Sequence, residues 1–356
     1  MAVITYKCPN CDGGLIFDPE SQKFHCEYCL SYFSEEELQN NAPSSEDETR
    51  SSEQTQEAPV SPDTTVIYTC PSCGAEVVTD ETTAATFCFY CHNPVVLSGK
   101  LDGNYRPDQV VPFQIDRDTA VNEFLKWARK KKFVPRNFYS KKQLEKITGV
   151  YFPYWITDGD VYANLNTVCT RVRSWRSGDT QYTETSYYDV RRSGNIHFSD
   201  MTANALQHEN LKLIEGIQPF DYSTVKEFHP SFLSGFQAEK RNIEKEQLRE
   251  SMERCMAQYS NSLLRDSINN YNSVRETGFI CNVQNTSWRY LLLPVWILTY
   301  KAHNKKIYTY MMNGQTGKLC GKLPIDFKRL AVLFGIVSGS IILLSMLGSL
   351  LGGVFG

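Results

Sequence analysis

Tyr151-Phe152-Pro153-Tyr154-Trp155-Ile156 and Leu292-Leu293-Pro294-Val295-Trp296-Ile297 are the stretches on which the fold turns. Each is apolar and aromatic, with a proline followed two residues later by tryptophan, as in a buried strand. Each begins a strand, follows a helical segment and precedes a second β-rich stretch. This reads either as a duplicated helix–strand–strand unit or as two core strands of similar composition. Pro153 and Pro294 have no backbone donor and suit a sheet edge or a bulge.

Working outward, Val150–Thr157, Asp160–Trp175 and Thr180–Arg191 read as strands, with a hairpin turn at Arg176-Ser177-Gly178-Asp179. Residues 117–132 place Ala120, Phe124, Trp127 and Ala128 at helical spacing. Residues 237–269 read as one long amphipathic helix whose stripe is Ile243, Leu248, Met252, Met256, Tyr259, Leu263 and Ile268. Strands follow at Leu291–Tyr300, at Lys306–Met312 and around Lys318, with Asn313-Gly314 as a turn. The segment Gly314-Gln315-Thr316-Gly317-Lys318 lacks the glycine spacing and the hydroxyl residue of a phosphate loop, and reads as a turn. No catalytic motif stands out, so a non-enzyme is expected.

The N-terminal third is a repeat. Tyr6, Cys8, Pro9, Cys11, Cys26, Tyr28 and Cys29 recur 62 positions later as Tyr68, Cys70, Pro71, Cys73, Cys88, Tyr90 and Cys91. Each copy has two Cys-x-x-Cys pairs. Such a pair forms a knuckle that aims two thiolates at one ion, and two knuckles complete a tetrahedron. Zinc suits four thiolates, and a site with four protein ligands is closed and structural. Two structural zinc ions are expected, on Cys8, Cys11, Cys26 and Cys29 and on Cys70, Cys73, Cys88 and Cys91, with iron as the rival metal. His25 and His92 adjoin ligands but are surplus to each set.

These cysteines resemble the zinc ribbons of the transcription-factor-IIB type, although Leu30 and His92 stand where a glycine often follows the last pair. The wider layout also includes Pro294-Val295-Trp296, Tyr300-Lys301, Asn313 to Lys318 and an apolar tail. It resembles a family of Gram-positive bacterial zinc-ribbon membrane proteins. That resemblance implies an association with the phage-shock and membrane-stress system.

The tail, Leu330 to Phe355, holds no charged residue, and Lys318, Lys322, Lys328 and Arg329 precede it. A transmembrane helix at 329–355 is expected, making a single-pass cell-membrane protein with its N-terminal part cytoplasmic. The organisation read from the sequence is ribbon 1 at 1–34, a disordered acidic linker at 35–65, ribbon 2 at 66–100, a cytoplasmic domain at 101–325 and the tail. The fold class is α+β, the central domain carrying antiparallel sheet and one long helix.

Charge bears on the partner. Residues 1–100 carry only Lys7, Lys23, Arg50 and Lys100 against sixteen Asp and Glu. Phosphate contacts leave a basic footprint, so acidic ribbons make nucleic acid an improbable ligand. The function expected is a membrane-anchored adaptor that recruits protein partners, with the bilayer as a further contact and no small-molecule substrate. The alternative is a nucleic-acid-binding protein.

Overall fold

A computed structural model describes residues 3–4, 6–40, 65–69, 76–80, 82–88, 94–97, 105–131, 133–135, 138, 146–207, 211–301, 306–324 and 326–352. Among these residues eleven strands join one sheet, with a three-stranded and a two-stranded sheet beside it. The α+β expectation is corrected by this architecture: sheet dominates. Three strands are unusually long, Thr148–Ser177, Thr180–Asn204 and Ser273–Lys301. The first lies between the other two and is antiparallel to both.

The two opening stretches pair with one another. Tyr151 faces Pro294, Phe152 faces Leu293 and Pro153 faces Leu292. The register is therefore symmetric about Phe152 and Leu293, which are equivalent positions of the two stretches. The likeness extends outward. Gln109–Val110 runs parallel to the third long strand, with Gln109 beside Leu291 and Val110 beside Leu292. Gln237–Glu239 runs parallel to the first, with Gln237 beside Val150 and Ala238 beside Tyr151. Each short strand leads into a helix, Arg117–Arg129 or Lys245–Asp266. The Trp155 indole donates to the Ile243 carbonyl at 2.9 Å, and the Trp296 indole donates to the Ile115 carbonyl at 3.0 Å. The tryptophans are 141 positions apart (155 to 296) and the isoleucines 128 (115 to 243), matching the offsets of the paired strands and of the helix starts. Of the two readings of the motif, this geometry favours duplication: two halves related by a local two-fold, each bracing the other's tryptophan.

Both prolines sit in the centre of the sheet, not at its edge. Each stands where the outer neighbour of its strand changes. Around Pro153 the neighbour switches from Gln237–Glu239 to Thr180–Asn204, and around Pro294 from Gln109–Val110 to Ile307–Asn313. At such a seam no ladder N–H is required, and the proline carbonyls still accept, from Ala205 at 3.1 Å and Gly314 at 2.9 Å.

The helix Lys245–Asp266 lies across the long strands. It buries Met252, Met256, Ser260 and Leu264, four apart, while Tyr259 and Leu263 of the expected stripe face solvent. Leu264 and Ile268 close a small core with Ala163, Leu165, Cys169 and Val190. Residues 237–239, expected in this helix, form the short strand instead.

The tail is helical over Phe327–Gly352, with side chains described from Arg329 to Leu344. Among the described residues no helix is long and apolar enough to cross a membrane. The expectations of a transmembrane helix at 329–355 and of a single-pass cell-membrane location are corrected accordingly.

The first ribbon does not stand off on a leash. Its strands Leu15–Asp18, Lys23–Cys26 and Tyr32–Phe33 pack on the segment before Phe236. Phe17 meets Phe24 and Phe232 at ring distances of 5.4 and 5.2 Å, and Phe17 N–H donates to Ser234 at 3.0 Å. Gly235 adopts φ +90°, and a Cβ there would collide with Ile16, so the close approach requires glycine. The expected linker opens with a short helix, Glu35–Asn40, started by a reciprocal Ser34–Glu37 cap. The rest of that linker, 41–64, lies outside the described residues.

Candidate metal centre

The first cysteine set is brought together by two knuckles built alike. Cys8 N–H donates to Gly13 and Asp12 N–H donates to Cys8, at 2.7 and 2.9 Å. In the second knuckle Cys26 N–H donates to Ser31 and Leu30 N–H donates to Cys26, at 3.0 and 2.9 Å. Each loop thereby turns its two sulfurs to one side. The hairpin of Leu15–Asp18 and Lys23–Cys26 holds the knuckles opposite each other, with Leu15 paired to Cys26.

The four Sγ atoms all lie within 4.8 Å of one another, with Cys8–Cys29 and Cys11–Cys26 at 3.5 Å. A tetrahedron with Zn–S bonds of about 2.3 Å has S–S edges of about 3.8 Å, so the cluster fits such an ion with small adjustments. Among the described residues this is the one group of side chains with metal-binding geometry. Cys8 and Cys26 are buried, whereas Cys11 and Cys29 are exposed. Burial pushes the Cys8 thiol up. The Ser31 hydroxyl, 3.3 Å from Cys29 Sγ, and the Ser31 backbone lower the Cys29 thiol to about 6. Asn10 N–H points at Cys8 Sγ at 3.4 Å, the backbone donor that a knuckle offers a metal-bound thiolate.

His25 is not in the cluster; it stacks on Tyr32 with ring centroids 4.5 Å apart. Of the second set, Cys88 is buried, and Cys70, Cys73 and Cys91 lie outside the described residues, as does His92. The flanking strands Glu76–Asp80, Thr83–Phe87 and Pro94–Leu97 fall at or near 62 positions beyond those of the first ribbon. The second copy is woven into the large sheet: Thr83–Phe87 pairs with Gln237–Glu239, and Pro94–Leu97 pairs with Val3–Ile4.

Over 357 aligned residues the chain is 32% identical to a protein of Bacillus subtilis (strain 168) described as uncharacterized protein YdjG, covering 99% of this chain and 100% of that one. The chain belongs to the YdjG family. No family model matches it. No solved structure matches it either. The YdjG likeness spans the cysteine-bearing N-terminal part, the sheet and the tail.

One feature of the knuckles was legible only as a missing glycine. Leu30 has φ 59° and Asp12 φ 62°, so the residue after each second cysteine is left-handed. Asp tolerates this; leucine pays roughly 1–2 kcal/mol. Leu30→Gly should therefore raise stability by up to about 1 kcal/mol, part of the gain being offset by glycine's greater unfolded-state freedom. Thermal unfolding of the metal-loaded protein reads this directly, and a loss of stability would contradict it.

Proposed function

We propose that the chain is a zinc-dependent adaptor, in which two structural zinc ribbons, on Cys8, Cys11, Cys26 and Cys29 and on Cys70, Cys73, Cys88 and Cys91, present a recognition surface to a protein partner. Zinc is the ion that suits four thiolates in a closed tetrahedron. The observation that carries the reading is the outer face of the second knuckle. Tyr28, Leu30 and Tyr32 there are 74%, 68% and 50% exposed, next to a metal set that leaves no open position for chemistry. Exposed tyrosine and leucine on a rigid knuckle are the kind of anchor that protein interfaces bury. The docking of this ribbon on Phe232 and Ser234 supports the same role, because it gives the surface a fixed orientation. An envelope-stress partner is the class that the family resemblance implies.

The test is affinity capture by the tagged full-length chain, compared with a Tyr28→Ala, Tyr32→Ala double variant of equal zinc content. Loss of one specific partner from the variant supports the adaptor. An unchanged set of captured proteins contradicts it.

One observation favours the nucleic-acid reading. At the tip of the long hairpin Trp175 stacks on Tyr182 at 5.6 Å, with Arg173 over the Trp175 ring at 5.9 Å. Stacking platforms beside arginine suit single-stranded bases. Binding of DNA or RNA with a steep salt dependence, lost in Trp175→Ala, would replace the adaptor reading.

A further inference from the structure

The local two-fold gives the sheet two related clefts, which differ in lining: Ile147, Gly149 and Phe236 in the first stand where the second has Trp288, Tyr290 and Asp108. In the first half the cleft is lined by Asp116, Arg117, Asp118 and Trp296 and is roofed by the first ribbon from Ile16 to Glu20. In the second half Glu244, Lys245, Glu246 and Trp155 occupy the same stations in a cleft of about 680 Å3. Where the first half has Phe113, stacked on Phe236 with centroids 4.2 Å apart, the second has Arg241, 128 positions on (113 to 241). In the first half this residue packs beside Gly149, where the second half has Tyr290.

We propose that the second cleft is a binding site for a phosphate group, free or as a phosphate ester. Arg241 is 5% exposed, and its guanidinium lies within 5.2, 4.9 and 4.8 Å of the ring centres of Tyr105, Trp155 and Tyr290. A guanidinium at such depth is costly unless its donors are used. Its Nε is used, donating to the Glu244 carboxylate at 3.1 and 3.3 Å. Its terminal nitrogens have no hydrogen-bond partner among the described residues. Trp288, which also lines the cleft, has a buried Nε1 with no acceptor.

The surroundings favour an oxyanion. The cleft lies at the start of the 22-residue helix Lys245–Asp266, whose first N–H groups and dipole attract negative charge. Lys245 and Arg106 add cations at its wall. Of the three carboxylates present, Glu244 is taken by Arg241, Asp108 accepts from Tyr290 N–H at 2.7 Å, and Glu246 is exposed. The arginine end, the indole N–H and the lysine belong to different walls of the cleft, an arrangement that suits the three-dimensional oxygens of a tetrahedral anion better than the flat pair of a carboxylate.

Titrating the full-length, zinc-loaded protein with inorganic phosphate at constant ionic strength, read by tryptophan fluorescence, tests this. Saturable binding at millimolar concentration or below is expected. Arg241→Phe, which puts the twin half's residue at this position, should bind at least about tenfold more weakly. Lys245→Glu, on the helix surface, should weaken binding similarly, and carries the test if Arg241→Phe fails to fold. No saturable response, an equal response to acetate, or unchanged affinity in the folded variants would overturn the proposal.

Discussion

Replacing Cys26 with serine should release the metal from the first ribbon and unfold that ribbon from the sheet. In a unit of this size metal binding supplies most of the folding free energy, on the order of 10 kcal/mol. Losing one of four thiolates removes much of it. Cys26 also reaches the core together with Cys8, Leu15, Phe17 and Phe24, so the damage spreads to the Phe232 contact. The exposed ligand separates the two effects. Cys11→Ser disturbs no buried packing, so any loss of structure there comes from the metal alone. Hydrogen exchange over residues 6–33 should rise in both variants. Wild-type protection in Cys11→Ser would show that the ribbon is held by packing and not by an ion.

Trp296→Ala is expected to be the most damaging change in the sheet. The indole packs against Phe113 at 5.1 Å and Phe236 at 6.0 Å, and it holds the Ile115 carbonyl just before the helix Arg117–Arg129. Truncating a buried tryptophan costs about 3–5 kcal/mol, and the orphaned carbonyl adds about 1–3 kcal/mol more. For a domain of this size that is a fall in Tm on the order of 10 °C or more. Trp155→Ala removes the matching bond to Ile243 and also one wall of the Arg241 box, so it should cost as much again. If Trp296→Ala melts within a few degrees of wild type, the two-fold bracing is not what holds the halves together.

The metal centre was the most legible part of the chain, because ligand spacing is local. Two Cys-x-x-Cys pairs fix which sulfurs meet whatever the rest of the chain does. The turn chemistry was partly visible: a glycine was missed after Cys29, and Leu30 proves to hold the left-handed conformation that glycine would have held. The sheet was harder. Asp158-Gly159 reads as a break, yet the strand runs through it with a bulge between Thr157 and Gly159. The aspartate is there for a distant partner: its carboxylate meets Arg289 at 3.0 Å and accepts from Asp200 N–H at 2.9 Å. Partial burial raises the Asp158 carboxyl, but both contacts and the neighbouring Ser287 bond outweigh it and lower its pKa. Likewise Ser273 to Trp288 carries too many polar residues to read as strand. It is one because Thr148–Ser177 supplies a partner along its whole length.

Other features depend on pairing across long distances and leave little local trace. The match of Ile115-Asp116-Arg117-Asp118 to Ile243-Glu244-Lys245-Glu246 is in the sequence, but short polar matches gain meaning only once both tryptophans are seen to reach those isoleucines. Asn313-Gly314 was read as a turn, and the chain turns there, but the wider role of Asn313 was not visible. In the structure Asn313 is fully buried, with its amide donating to Ile217 and Pro219 and its oxygen accepting from Gln315 and Thr316. The tail is a different case: an uncharged run reports composition alone, and among the described residues no helix is long and apolar enough to cross a membrane.

The measurement that bears most directly on the account is elemental analysis of the full-length chain purified without added metal. It should contain about two zinc ions per chain, each on four thiolates. A chain that carries no zinc, or holds iron in its place, would contradict it.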